Sequence, residues 1–182
     1  MLGVTFKGLD GAELPLNEIV SGEFLDGDEI QVYTPGSGST FYSYWKDYGG
    51  WLDGAFNTAT TPCKIGTGFW LKTPDRSVTV TLKGAVPMET FRYESQAGFQ
   101  MLSLGTPREL DLNRDITWTG LTDGDEIQVR KDGQYVFYSY WKDYGGWLTG
   151  SFEVVSEPIA IGSSIWLKTA NSGATATIQG LN

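Results

Sequence analysis

Short runs of alternating apolar and polar residues, separated by glycine and aspartate, extend along the whole chain. In Glu29–Thr34, Ile30 and Val32 alternate with Glu29 and Gln31. A period of two marks a strand with one face on a core. The same pattern predicts strands at Val4–Gly8, Thr40–Lys46, Gly68–Thr73 and Val78–Lys83. A second set is predicted at Gln100–Leu104, Glu126–Lys131, Tyr135–Lys142, Ser164–Thr169 and Ala174–Gln179. Lys131-Asp132-Gly133-Gln134 fits a tight hairpin turn, and Pro35–Ser39 is a looser version of it. Pro15–Val20 and Asp111–Ile116 each suit one helical turn. The fold class expected is all-β, with a small sandwich or barrel per repeat.

The pattern repeats because the sequence does. Asp26–Val32 recurs at Asp123–Val129, and Phe41–Leu52 recurs without a change at Phe137–Leu148. Trp70–Thr73 returns at Trp166–Thr169, and Leu16-Asn17 at Leu112-Asn113. An internal period of this length points to two tandem modules, here divided as residues 1–85 and 86–182. Elsewhere the copies diverge: Asn57–Thr60 faces Glu153–Ser156. The identity of the aromatic block is explained equally by a shared function or a shared structural corner. Val86–Ala97 has no counterpart in the first copy. It reads as a strand with Phe91 and Tyr93 on one face. One module is therefore expected to be a strand short, with an open edge.

Alternation also assigns faces. Phe41, Ser43 and Trp45 oppose Tyr42, Tyr44 and Lys46, and Phe69 and Leu71 oppose Trp70 and Lys72. The non-core face is expected to gather Tyr42, Tyr44, Lys46, Trp70, Lys72, Glu29 and Gln31. Its counterpart gathers Tyr138, Tyr140, Lys142, Trp166, Lys168, Glu126 and Gln128. Aromatic rings stack on the apolar faces of sugar rings, while amide, carboxylate and ammonium groups bond hydroxyls. The same composition also stabilises a plain sheet through cross-strand ladders. After each aromatic strand, Gly49-Gly50 or Gly145-Gly146 makes a turn. That turn either projects Tyr48 and Trp51, and Tyr144 and Trp147, or folds the tryptophan back over the core.

Composition narrows the chemistry. The net charge of −9 argues against a phosphate backbone as partner and against anionic lipid. The absence of histidine removes His-based triads, histidine bases and most transition-metal sites. The single cysteine, Cys63, reads as a small buried strand residue, with a reactive thiol as the lesser reading. Asp26-Gly27-Asp28-Glu29 resembles part of a calcium loop but lacks its other ligands, so it reads as a turn before a strand. No stretch is apolar enough to span a membrane as a helix. Glu29 with Asp47, and Glu126 with Asp143, are the carboxyl pairs available to a glycosidase. No cofactor is implied.

The motif set resembles tandem, aromatic-rich β-repeat modules of secreted and surface bacterial proteins. Its elements here are Gly105-Thr106-Pro107, Gly124–Val129, Tyr138–Tyr140, Gly146-Trp147, and Ile161-Gly162 leading to Trp166-Leu167-Lys168. The first copy has Ile65-Gly66 leading to Trp70-Leu71-Lys72 but no proline at Leu9-Asp10-Gly11. The resemblance implies an extracellular or cell-surface setting and no particular activity. Met1–Gly11 lacks a signal-peptide layout, so secretion requires a leader absent from this chain. The leading expectation is a non-enzymatic binding module, for glycan or another surface protein, acting in adhesion. The alternative is a self-associating surface protein that uses open strand edges.

Overall fold

The computed structural model describes residues 1–34 and 36–180. Pro35 of the first-copy turn, and Leu181 and Asn182 of the second predicted module, lie outside the described residues. In chain order the first nine strands are β1 (Leu2–Gly3), β2 (Leu14–Pro15), β3 (Val20–Gly22), β4 (Glu29–Thr34), β5 (Gly38–Trp45), β6 (Gly50–Leu52), β7 (Pro62–Cys63), β8 (Gly68–Lys72) and β9 (Val80–Leu82). The rest are β10 (Phe91–Glu94), β11 (Gly98–Ser103), β12 (Ile116–Thr119), β13 (Glu126–Lys131), β14 (Gln134–Trp141), β15 (Gly146–Leu148), β16 (Ser164–Thr169) and β17 (Thr175–Ile178). One short helix, α1 (Leu16–Ile19), and 3-10 turns at Lys46–Tyr48 and Lys142–Tyr144 complete the elements. The fold is all-β, with antiparallel pairing between its strands. No described helix is long and apolar enough to cross a membrane.

Two five-stranded sheets have matching strand orders, β1-β8-β4-β5-β6 and β11-β16-β13-β14-β15. Their registers also match. Ile30 lies between Tyr42 and Leu71, as Ile127 lies between Tyr138 and Leu167. Each large sheet shares a hydrophobic core with a smaller one: β3-β9 in the first half and β10-β17-β12 in the second. Each half closes its own core. Val4, Leu16, Ile19, Ile30, Trp51 and Phe69 belong to one, and Leu102, Leu112, Ile127, Trp147, Ile165 and Leu167 to the other. Each such buried aliphatic side chain contributes roughly 1.5–3 kcal/mol relative to exposure.

The hairpin at Lys131–Gln134 forms as expected, with Asp132 and Gly133 both at positive φ. One strand expectation is corrected. Val4–Gly8 is not a strand: the strand is Leu2–Gly3, and the chain turns away at Gly8, whose N–H donates to Ala12. Asp111–Ile116 forms the single helical turn expected of it: Asp115 N–H donates to Asp111 O at 2.9 Å, and the turn is not extended into a helix. The Asp111 carboxylate accepts the N–H groups of Asn113 and Arg114, and β12 begins at Ile116.

The halves meet through paired contacts. Leu2 bridges Ser163, and Thr67 bridges Leu102. Gly3 N–H donates to Gly162 and Ser103 N–H donates to Gly66. The unmatched segment supplies β10, which completes the second small sheet. Its Tyr93 hydroxyl donates to the fully buried Gln100 at 2.7 Å. Burial pushes that phenol up to about 12. A folded-state pKa above the ordinary value of about 10 favours the protonated native state, so stability falls as pH rises from about 10 through 12. Urea midpoints compared at pH 9 and 11 are expected to show this loss, and Tyr93→Phe is expected to lessen it.

Candidate functional site

Register decides which aromatics reach the surface. Antiparallel partners share a face, and Tyr42 is opposite Ile30 while Tyr44 is opposite Trp51. Tyr42 and Tyr44 therefore point to the core with Leu71 and Phe69, and they pack on it half-buried. In the second half Tyr138 is buried and Tyr140 half-buried, both on the core. The expected grouping of these tyrosines with Trp70, Lys72, Glu29 and Gln31 is incorrect. A shift of one residue between strands exchanges the faces.

The turn tryptophans go inward too. Trp51 is 1% exposed and Trp147 is 0% exposed. Trp51 lies edge-on to Phe24 and Tyr44, and Trp147 to Trp118 and Tyr140. Asn17 and Asn113 hold these turns, each accepting the tryptophan N–H at 2.7 Å and donating to the same residue's carbonyl at 3.0 Å. A Cβ on Gly50 or Gly146 would strike that asparagine oxygen at 2.4 or 2.5 Å, and both glycines have positive φ. Tyr48 and Tyr144, by contrast, are 67% and 66% exposed. Lys46, Lys142, Lys72 and Lys168 are exposed as well.

The outer face of each large sheet has a different aromatic set. One row across the first sheet runs Phe41, Gln31, Trp70, and the next runs Leu52, Ser43, Glu29, Lys72. The second sheet repeats them as Phe137, Gln128, Trp166 and as Leu148, Ser139, Glu126, Lys168. Every residue in these rows is of the same type in both halves. Phe41 and Phe137 are half exposed, at 50% and 51%. Two strand spacings separate Phe41 from Trp70, about 10 Å. Between them Gln31 donates its amide to Glu29 at 2.5 Å, as Gln128 does to Glu126 at 2.6 Å. The carboxylate orients the amide and leaves its carbonyl oxygen open to a ligand donor.

The rows extend at both ends. Trp45 and Trp141 continue this face, and Phe56 and Phe152 lie 6.0 Å from them. Both phenylalanines are about two-thirds exposed and sit at φ 62° and 61°. A bulky residue in that region is strained, which is a mark of functional loops. At the other end Trp70 contacts Arg130 and Tyr135 of the second half, and Trp166 contacts Tyr33 of the first and Phe99 of its own half. Trp70 and Trp166 are half-buried at this junction. A groove of about 420 Å³ opens beside Trp70, lined by Gln31, Lys72 and Thr73.

The sequence reading therefore missed Phe41, Trp45, Phe56 and their counterparts Phe137, Trp141 and Phe152. The hairpin turn could have found the strand residues: counting back from Lys131 opposite Gln134 sets Gln128 against Phe137. The remaining candidates have structural roles. Asp28 and Asp125 are buried and accept the N–H of Leu25 and of Thr122. Asp28 pairs with Arg76, whereas Asp125 accepts Ala170 N–H. Asp26 and Asp123 each cap the following turn through Lys46 and Lys142 N–H. Among the described residues no cluster of three or more acidic or thiol side chains is placed to hold a metal ion. Burial, and then the charge of Glu13, push the Cys63 thiol up to about 11.

Comparison with protein-family models, with curated proteins and with solved structures finds no match for this chain.

Proposed function

We propose that this chain is a non-enzymatic binding protein whose ligand is a neutral glycan, docked on the outer faces of the two five-stranded sheets. The observation that carries the reading is the duplicated outer face. Six half-buried or exposed positions of this face hold the same residue types in both halves, although core packing does not require that of a surface. The half-exposed ring of Phe41 or Phe137 offers a stacking surface, with Trp70 or Trp166, partly covered at the junction, at the other end of the row. The oriented Gln–Glu pair between them offers hydroxyl contacts, and Lys72 or Lys168 adds donors. A net charge of −9 favours a neutral polymer over a polyanion. Two equal faces on one chain suit a repetitive ligand, because the second contact is intramolecular.

A cell-exterior setting belongs to the same proposal, supported by the motif resemblance. Phe41→Ala and Phe137→Ala test it, since neither ring is part of a core cluster. With a glycan array to find the polymer and calorimetry to measure it, each single variant is expected to bind about tenfold or more weakly through lost avidity, with unchanged thermal stability. An array without a neutral-glycan hit, or a double variant that binds like the parent, overturns the reading.

A further inference from the structure

Strand β17 has a partner on each side, β10 and β12, whereas its counterpart β9 pairs, among the described residues, only with β3. Burial differs accordingly. Ala174, Ala176 and Ile178 are 3%, 1% and 1% exposed. Val78, Val80 and Leu82, at the matching positions, are only half-buried, and Thr79 is exposed where Thr175 is buried.

The unpaired backbone groups can be identified. Lys83 N–H donates to Ile19 O at 3.1 Å, so Lys83 and Thr81 direct their backbone groups to β3. Alternate residues of an antiparallel strand face opposite neighbours. The N–H and C=O of Val80 and Leu82 therefore face outward, and no described residue pairs with them there. The nearest backbone pairing, Lys7 with Ala85, lies beyond the end of β9.

The second half shows what closes such an edge. There β10 runs antiparallel, with Phe91 opposite Ile178 and Tyr93 opposite Ala176. The Phe91 ring sits over Gly66 and Gly105, so closely that a Cβ on either would lie 2.7 or 2.5 Å from it. Gly162 is the second-copy counterpart of Gly66 in the Ile-Gly pair before the Trp-Leu-Lys strand. Among the described residues only Leu82 comes within 4 Å of a Cβ built there, at 3.8 Å. At Gly162 one of the two glycine positions beneath Phe91 is thus repeated and uncovered, whereas the sequence counterpart of Gly105 is Leu9.

We propose that the outer edge of β9 accepts an extended segment of another polypeptide with the chemistry of β10. That segment runs antiparallel to β9. It places an apolar or aromatic side chain opposite Leu82 and another opposite Val80, with polar residues between. Main-chain bonds to Val80 and Leu82 supply affinity, and the inward side chains supply specificity. Among the described residues the segment of that chemistry, Phe91–Glu94, is engaged on β17. The proposal does not rest on the glycan reading.

The test uses the whole chain and a synthetic peptide of sequence Val86–Ala97. At peptide about tenfold above its dissociation constant, amide exchange at Val80 and Leu82 is expected to slow about tenfold, with Thr175–Ile178 unchanged. A peptide with serine in place of Phe91 and Tyr93 is expected to give no protection. Val80→Pro removes an outward N–H without touching the bonds to β3 and is expected to abolish binding. No saturable binding, equal protection by the serine peptide, or altered exchange confined to Thr175–Ile178 overturns the proposal. The peptide comparison decides the matter even if the proline variant does not fold.

Discussion

Trp147→Ala is expected to destabilise the second half by about 4–5 kcal/mol, the upper range for deleting a buried tryptophan. The residue is 0% exposed, and its ring lies 5.3 Å from Trp118 and 5.5 Å from Tyr140. Removal of the indole leaves a cavity among rigid rings on two different elements, where collapse is difficult. Trp147→Phe is expected to cost far less, about 1 kcal/mol. The indole Nε1 is buried without a hydrogen-bond partner among the described residues, and loss of an unsatisfied donor recovers part of its desolvation cost, about 1–3 kcal/mol. Urea unfolding followed by far-UV circular dichroism measures both. Similar losses for the two variants would show that the polar nitrogen, not the ring volume, anchors the site.

Asn113→Ala is expected to cost about 3 kcal/mol, through groups left unpaired rather than through lost volume. The side chain accepts Trp147 N–H and donates to the carbonyls of Trp147 and Val155, at 2.7, 3.0 and 3.0 Å. Asn17 makes only the first two of these bonds, to Trp51. Asn17→Ala is therefore expected to cost less, about 2 kcal/mol. Asn113→Asp keeps the acceptor but loses both donors and turns a carboxylate toward two carbonyls, so it is expected to fare no better than alanine. The same urea series, run on all three variants, checks the order. A smaller loss for Asn113→Ala than for Asn17→Ala would overturn this account.

These two sites also show what was legible in the sequence. Period-two alternation located the long strands, because one buried face leaves that signature directly. Glu126–Lys131 and Ser164–Thr169 match the structure end to end. Short strands escaped. β6 and β15 have three residues each, and their Gly-Trp-Leu reads equally as a turn. Which way Trp51 and Trp147 point depends on Asn17 and Asn113, each far away in the chain, and local pattern does not carry that information. The outer face was lost for another reason. Alternation gives two sets per strand but not how the sets of neighbouring strands combine. That follows from register, and here the Asp132-Gly133 turn held it. The strained loops of Phe56 and Phe152 left no period at all, since their conformation is set by the preceding turn. Asp53 accepts the N–H groups of Ala55 and Asn57, and Thr149 those of Ser151 and Glu153.

Those two loops bear on the thermodynamic economy of the chain. A phenylalanine held at positive φ raises the native state by roughly 1–3 kcal/mol, which glycine at the same place would not. The residues just after it differ freely between the copies, Asn57–Thr60 against Glu153–Ser156, yet the strained ring is present in both. The native state thus lies above the lowest free energy this backbone could reach, twice over and at the same point. Stability is held in reserve at the place where an exposed ring is kept against a tryptophan, so rigidity of the scaffold is not what these loops optimise.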